Sequence, residues 1–561
     1  MATYQNYPTE NYTTLRDMYR AGARTYTDKV AFMQKEKDGY KSYSYARFAK
    51  EVDRLGTALC AKGLKGAHVL LIGENCYHWI VSYMAVICGV GVIVPVDSTL
   101  SKEALAQLAK TADATAIIYS DKLAEKVEGL DFLSKKIPFS TLGALIAEGK
   151  RLIKGGDRSY LNAPIDPDAM SALLFTSGTS GQSKGVMLSH TNICFNLSQM
   201  CTMVRIESTD RFLSILPIHH AFECTCGVLV PLSRGATVAF AENLRRMMHN
   251  MQEVNPTVIN CVPMFIETVH RKLWANIRKQ GVERRVNTII KLSNAIPGEH
   301  ARLAAKRKLF ASIHKTFGGK LRAMICGGAA ANPEVLRGMR DIGITAIQSY
   351  GLTECAPLAA INRDTRFNDK SAGMATPEGL LDIYDLQHDG TGEIRYKGAN
   401  IMLGYYKMPE LTREVLHDGW LYTGDLGYLD EDGFLYVTGR KKNVIVNASG
   451  KHIFPEEIER LLDNNPYVKD AVVLGILNRK RNDYDIVAII VPDMSRVIEV
   501  YGRHYLPDQL DLEMRKAISG VNMELPSHKH IHYHILRKED FEKNTSGKIL
   551  RAPIIEQYTK K

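Results

Sequence analysis

Through the first two-thirds of this 561-residue chain, short β-branched runs alternate with amphipathic segments. That rhythm restricts the fold to stacked α/β layers with largely parallel sheets. Strands are expected at His68–Ile72, Val92–Val96, Ala116–Tyr119, Val258–Cys261, Ala323–Cys326 and Ala346–Ser349, with helices between them at Ser101–Ala112 and His300–Thr316. From about Gly392 the pattern shifts to short strands parted by Gly and Asp turns, Glu393–Lys397 and then Gly433–Val437 after the turn Asp430–Gly433. A charged joint, Thr438-Gly-Arg-Lys-Lys-Asn443, leads into a compact unit. There a helix Pro455–Asn464 opens on a proline, strands follow at Ala471–Ile476 and Ile486–Val491, and a helix surrounds Leu510–Val521. A chain this long exceeds one core. The expectation is an α/β fold with a large multi-lobed N-terminal domain of layered sheets and helices (1–438), a hinge (439–443) and a small α+β C-terminal domain (444–561).

His78–Val96 carries no formal charge and approaches the ~20 apolar residues of a membrane helix. Gly89, Gly91 and Pro95 break it, so a buried helix Tyr77–Cys88 followed by a strand Val92–Val96 is the expectation. The N-terminus, MATYQNYPTENY, has neither the basic nor the apolar region of a signal peptide. Ten cysteines without disulfide spacing, Cys224 and Cys226 being one tight pair with no second to complete a zinc site, fit reduced thiols in the cytoplasm. The net charge of +11 favours anionic partners such as nucleotides, CoA or an acidic membrane surface. Its Lys and Arg residues read as spread along the chain, clustering only at Arg440–Lys442 and Arg479–Arg481. A nucleic-acid binder concentrates them on one stripe, so nucleic acid is not the expected partner.

The chemistry concentrates first in Leu173-Leu-Phe-Thr-Ser-Gly-Thr-Ser-Gly-Gln-Ser-Lys-Gly185. An apolar strand runs into Thr176, Ser177, Gly178, Thr179, Ser180 and Gly181 and ends on Lys184. Glycines let backbone N–H groups turn inward, hydroxyls donate, and the lysine adds charge: these are the needs of a triphosphate cradle. It is not a Walker A loop, lacking Gly-Lys-[Ser/Thr] at the required gap. A flexible linker would not be clamped between two apolar runs.

This segment resembles, nearly residue for residue, the signature loop of the adenylate-forming superfamily, which includes acyl-CoA synthetases, firefly luciferase and peptide-synthetase adenylation domains. Ser183 stands where Pro is common in the family, a change that leaves the donors intact. Gln348-Ser-Tyr-Gly-Leu-Thr-Glu354 resembles a second family element. The resemblance implies that Tyr350, with Gly351, stacks on adenine, that Thr353 contacts the α-phosphate, and that Glu354 and Thr176 serve magnesium. Gly328, Ala329 and Ala330, in Cys326-Gly-Gly-Ala-Ala330, would line the adenine and acyl sites. Asp425, in Trp420-Leu-Tyr-Thr-Gly-Asp-Leu-Gly427, would accept both ribose hydroxyls, and Arg440 would contact ribose and phosphate.

Lys442 occupies the family's hinge position, about which a small, mobile C-terminal domain swings between half-reactions. Lys548, in Thr545-Ser-Gly-Lys-Ile-Leu-Arg551, matches the catalytic lysine. A carboxylate attacking an α-phosphate brings two anions together, and an ammonium bridging them offsets the repulsion. Its loss should cost ~3–4 kcal/mol or more in the barrier. His220, in Leu216-Pro-Ile-His-His-Ala-Phe-Glu223, would orient the acid or gate the thiol tunnel, while His219 reads as a core histidine. Gly450 would line the CoA channel. The resemblance runs from about residue 12 to 555. The joint Gly439–Val446 and the pattern from Phe317 through Cys326-Gly-Gly-Ala look most like long-chain fatty acyl-CoA synthetases.

What this implies is a ligase using ATP, Mg2+ and CoA to activate a medium- or long-chain carboxylic acid. The alternatives are an acyl-AMP ligase loading an acyl carrier protein or an amine, and a catalytically silent nucleotide-binding scaffold.

Overall fold

The computed structural model describes residues 6–176, 183–243, 245–388, 390–448, 451–543 and 548–559. The chain forms two compact units. One runs to Leu381 and includes Tyr396–Leu421; the other takes Asp382–Arg395 and the chain from Tyr422 onward.

The first unit holds two large sheets. In one, the strands Lys135–Pro138, Ala116–Tyr119, Ala67–Ile72, Gly91–Val96 and Met170–Thr176 lie parallel in that order, and Lys184–Ser189 and Gly404–Tyr405 add antiparallel edges. In the other, a parallel run of Val30–Glu36, Thr237–Phe240, Arg211–Ser214, Val258–Cys261, Ala323–Cys326 and Thr345–Gly351 is closed by antiparallel strands at both ends. Parallel strands need both faces covered. The largest core, with Phe32, Trp79, Leu197 and Phe240, provides one cover, and a second core, with Ile259, Ile266, Phe317 and Leu336, provides another.

The uncharged stretch at 78–96 is buried core. Tyr77–Ala85 is helical, Gly89 (φ +143) turns the chain, and the strand Gly91–Val96 has its interior fully buried. Among the described residues no helix is long and apolar enough to cross a membrane. The helix expected at Ser101–Ala112 forms as Lys102–Thr111, its N-terminus capped by the Ser101 hydroxyl accepting from the Ala104 N–H. The helix expected over His300–Thr316 is instead two, Glu299–Leu309 and Ala311–Thr316. They part at Phe310, whose backbone (φ −104, ψ 25) leaves the helical region while its ring is buried in the second core.

In the second unit, Val468–Asn478 pairs antiparallel with Asp483–Pro492, which pairs parallel with Tyr533–Leu536. Helices Pro455–Asp463, Pro507–Glu524 and Arg551–Thr559 accompany this sheet. The strand expected at Gly433 starts later, at Leu435–Arg440, because the Asp430 carboxylate accepts from the N–H groups of Asp432 and Phe434 and holds the turn.

Candidate active site

In open α/β sheets ligands bind beyond the carboxyl ends of parallel strands, and the candidate residues of the first unit collect there. Arg211–Ser214 leads to His219 and His220, Ala323–Cys326 leads to Gly328, Ala329 and Ala330, and Thr345–Gly351 ends on Tyr350 and Gly351. Gln348 ties two of these ends together. Its Oε1 accepts from the Ala331 N–H (3.0 Å) and its Nε2 donates to the Ser371 carbonyl (2.6 Å). A third link is steric: a Cβ on Gly327 would lie 2.8 Å from the Phe222 ring, so the His220–Phe222 segment packs directly on the glycine turn. Gly328 takes φ +87, where a Cβ would meet only the Val262 side chain at 3.9 Å, and Ala329 and Ala330 are exposed beside it.

The turn Thr353–Cys355 is held from below by two buried amides. Asn196 Nδ2 and Asn400 Nδ2 both donate to the Cys355 carbonyl, and Asn196 Oδ1 accepts from the Leu358 N–H. Gly351 is required because a Cβ there would overlap the Pro357 carbonyl oxygen. The Glu354 carbonyl accepts from the Met402 N–H (2.8 Å), and its carboxylate accepts from the Tyr405 hydroxyl (2.7 Å).

The strands Met170–Thr176 and Lys184–Ser189 form a hairpin whose last pair is Thr176 opposite Lys184. Ser177, Gly178, Thr179, Ser180 and Gly181 lie outside the described residues, as does Gly450. Gly404–Tyr405 pairs with Val186 and Met187 on this hairpin, which brings the Lys184 ammonium over the Tyr405 ring at 5.1 Å. Lys184, Tyr405 and Glu354 therefore form one chain of contacts. No sequence reading singled out Tyr405, Asn196 or Asn400. Tyr405 stands 51 positions from Glu354, and only the sheet order joins them.

Among the described residues no three His, Cys, Asp or Glu side chains converge to cage a metal ion. Magnesium does not require that, since it is commonly bound through one or two carboxylates together with phosphates and water. A single Glu354 carboxylate, one oxygen fixed by Tyr405, fits this role.

His219 and His220 lie with ring centroids 4.2 Å apart. Burial, with the neighbouring His220 adding to it, pushes His219 down to about 3, so it is neutral near pH 7. Its Nε2 has no hydrogen-bond partner and sits 3.8 Å from Asp97. It is thus not the satisfied core histidine expected. Glu223, 1% exposed, has no partner of hydrogen-bond geometry on either oxygen. Burial pushes its carboxyl up to about 8 against the opposing pull of the Ser214 hydroxyl and the Ile215 N–H.

In the second unit the strand Trp420–Leu429 sets Asp425 opposite Arg440 of Leu435–Arg440. Arg440 Nε donates to Asp425 Oδ1 at 2.7 Å, and the Asp425 side chain is almost fully buried. Lys442 lies in the short turn Lys441–Asn443. Lys548 is exposed, next to the bridge that pairs Lys543 with Ile549.

The sequence matches the AMP-binding enzyme model over residues 19–406 and the AMP-binding enzyme C-terminal domain model over 442–561. The chain belongs to the AMP-binding enzyme family. It is 30% identical to long-chain-fatty-acid–CoA ligase 5 of Rattus norvegicus, covering 82% of this chain and 72% of that protein. It is 27% identical to the putative acyl-CoA synthetase YngI of Bacillus subtilis, with 98% of each chain covered. ATP-bound MatB from Rhodopseudomonas palustris shares the fold with a TM-score of 0.77 at 22% identity, covering 98% of this chain and 99% of that one. The Mycobacterium tuberculosis fatty acyl CoA synthetase does so with a TM-score of 0.66 at 21% identity, with the same coverage. As an AMP-binding enzyme of this kinship the protein falls in the class of AMP-forming acid–CoA ligases, which use ATP, Mg2+ and CoA.

Proposed function

We propose that this AMP-binding enzyme activates a medium- or long-chain fatty acid as its acyl-AMP and transfers the acyl group to CoA. The observation that carries this reading is the contact chain Lys184–Tyr405–Glu354. It sets a phosphate-seeking cation at the carboxyl end of Met170–Thr176 in one large sheet beside a metal-seeking carboxylate that follows Thr345–Gly351 in the other. The choice of a fatty acid is supported by relatives such as the long-chain-fatty-acid–CoA ligases of rat and mouse.

In the first step a carboxylate oxygen of the acid attacks the α-phosphorus of ATP, and the bond to pyrophosphate breaks. The hairpin cradle with Lys184 holds the phosphates, and Tyr350 stacks on the adenine that Gly328, Ala329 and Ala330 leave room for. Thr353 donates to the α-phosphate, and Asp425, oriented by Arg440, receives the ribose. Glu354 and Thr176 would hold magnesium, whose charge offsets that building on the leaving pyrophosphate. Lys548 bridges the acid and the α-phosphate and stabilises the charge that develops between them.

In the second step the C-terminal domain, 444–561, turns about Lys442 in the 439–443 joint and presents Gly450 to the thiol channel. The CoA thiolate then attacks the acyl carbonyl, and AMP leaves with the electron pair of the broken C–O bond. His220 orients the acid and borders the thiol's path. All ten cysteines are free, which suits a reducing cytoplasm.

Pyrophosphate release from ATP, measured with acids of several chain lengths and with or without CoA, tests both steps. No release with any acid removes the first step. Release without CoA acylation reassigns the acceptor to an acyl carrier protein or an amine.

A further inference from the structure

Residues 263–320 hold thirteen Lys and Arg against three Glu, so this segment carries nearly all of the chain's net charge of +11. The even spread of basic residues read from the whole sequence does not hold here: the segment is enriched in cations and, to a lesser degree, short of acids.

The segment folds as successive helices Pro263–Lys279, Glu283–Asn294, Glu299–Leu309 and Ala311–Thr316, packed each on the next. At a helical period their two faces separate cleanly. Ile266, Val269 and Ile277 of the first, and Val286 and Ile290 of the second, enter the second core. The opposite face of the first carries Met264, Lys272, Arg278 and Lys279; that of the second carries Arg284, Arg285, Lys291 and Leu292. Lys272, Lys279, Arg284, Arg285, Lys291 and Lys308 are exposed and make no ion pair among the described residues. Of the acids, Glu267 is turned inward, accepting from the Asn332 N–H. Between the cations stand apolar side chains open to solvent: Met264 (50% exposed), Leu292 (67%) and Leu309 (52%).

We propose that the helical face built by residues 263–309 docks on an anionic lipid bilayer, its lysines and arginines on the headgroups and Met264, Leu292 and Leu309 in the interface. Cations alone would suit any polyanion. The interleaved, exposed leucines and methionine favour the bilayer over a bare polyanion, because the interface gives them an apolar phase in which burial releases free energy. The docking goes beyond the acid–CoA ligase reading and does not depend on it.

Sedimentation of the full chain with vesicles tests it, using phosphatidylcholine alone and an equimolar mixture with phosphatidylglycerol. The protein should partition onto the mixed vesicles, weakly onto the neutral ones, and less as salt rises. The triple variant R284Q/R285Q/K291Q should lose on the order of a hundredfold in partitioning, and Leu292→Ser on the order of tenfold, with pyrophosphate release from a short soluble acid unchanged. Should the triple variant fail to fold, K272Q/K279Q on the neighbouring helix should lose about thirtyfold. Equal binding of wild type to both vesicle types, full binding by the charge variants, or binding to heparin or RNA but not to vesicles would overturn the proposal. Absent pyrophosphate release in wild type would strike the ligase reading and leave the vesicle result standing.

Discussion

Replacing Glu223 by glutamine isolates a carboxyl that, among the described residues, the fold buries with neither oxygen hydrogen-bonded. In the unfolded chain it titrates near 4.5, and in the fold burial holds its proton to about 8. The folded pKa is the higher one, so the fold binds the proton more tightly. The stability present below pH 4.5 is therefore lost as pH rises toward 8, and the loss is complete above it. Each pH unit between those values costs about 1.4 kcal/mol, up to ~5 kcal/mol in all, less whatever water entry relieves. Glutamine keeps the shape and cannot ionise. Its own buried amide adds a constant offset, so the pH slope is the quantity to read. Thermal midpoints of wild type and Glu223→Gln, taken from pH 5 to pH 9, should diverge, wild type falling relative to the variant until about pH 8 and then running parallel. Parallel curves across the whole range would refute the reasoning, since Glu223 would then be ionised and solvated within the fold.

Tyr405→Phe keeps the ring under Lys184 but removes the hydroxyl on Glu354. A hydrogen bond to a charged group is worth about 1.5–3 kcal/mol, so the magnesium needed for half-maximal pyrophosphate release should rise about tenfold or more. An unchanged magnesium dependence would remove Tyr405 from the site. Gly351→Ala sets a Cβ into the Pro357 carbonyl, and the turn carrying Thr353 and Glu354 must shift. Stability should fall by about 1–3 kcal/mol, with AMP binding weakened beyond what the thermal midpoint alone accounts for. Calorimetric titration with AMP measures this.

The layered fold was legible because parallel strands buried on both faces are written as apolar runs, as at Ala67–Ile72 and Gly91–Val96. The helix over 101–112 was equally visible from its periodicity, although Ser101, read as its first residue, turns out to be its cap. Local periodicity could not show that Phe310 leaves the helix to bury its ring, since the pattern on either side stays helical. The candidate loops could be read one by one, but their convergence depends on strand order. Tyr405 reaches Glu354 only because its short strand adds to the hairpin edge, and Asn196 and Asn400 come together on the backbone of Cys355 and Leu358. Glu223 was hidden for another reason. A glutamate reads as a surface residue, and nothing in its neighbours announces a buried carboxylic acid.

Separating the two half-reactions in Lys548→Ala puts the proposed chemistry to its most direct test. Acyl-AMP formation from ATP and a fatty acid should fall by at least the ~3–4 kcal/mol that a preorganised charge contributes, a few hundredfold or more. Thioester formation from supplied acyl-AMP and CoA should continue near the wild-type rate. Equal loss in both halves, or intact adenylation, would contradict the role given to that ammonium and with it the convergence of a hairpin cradle and a distant tail lysine on one nucleotide.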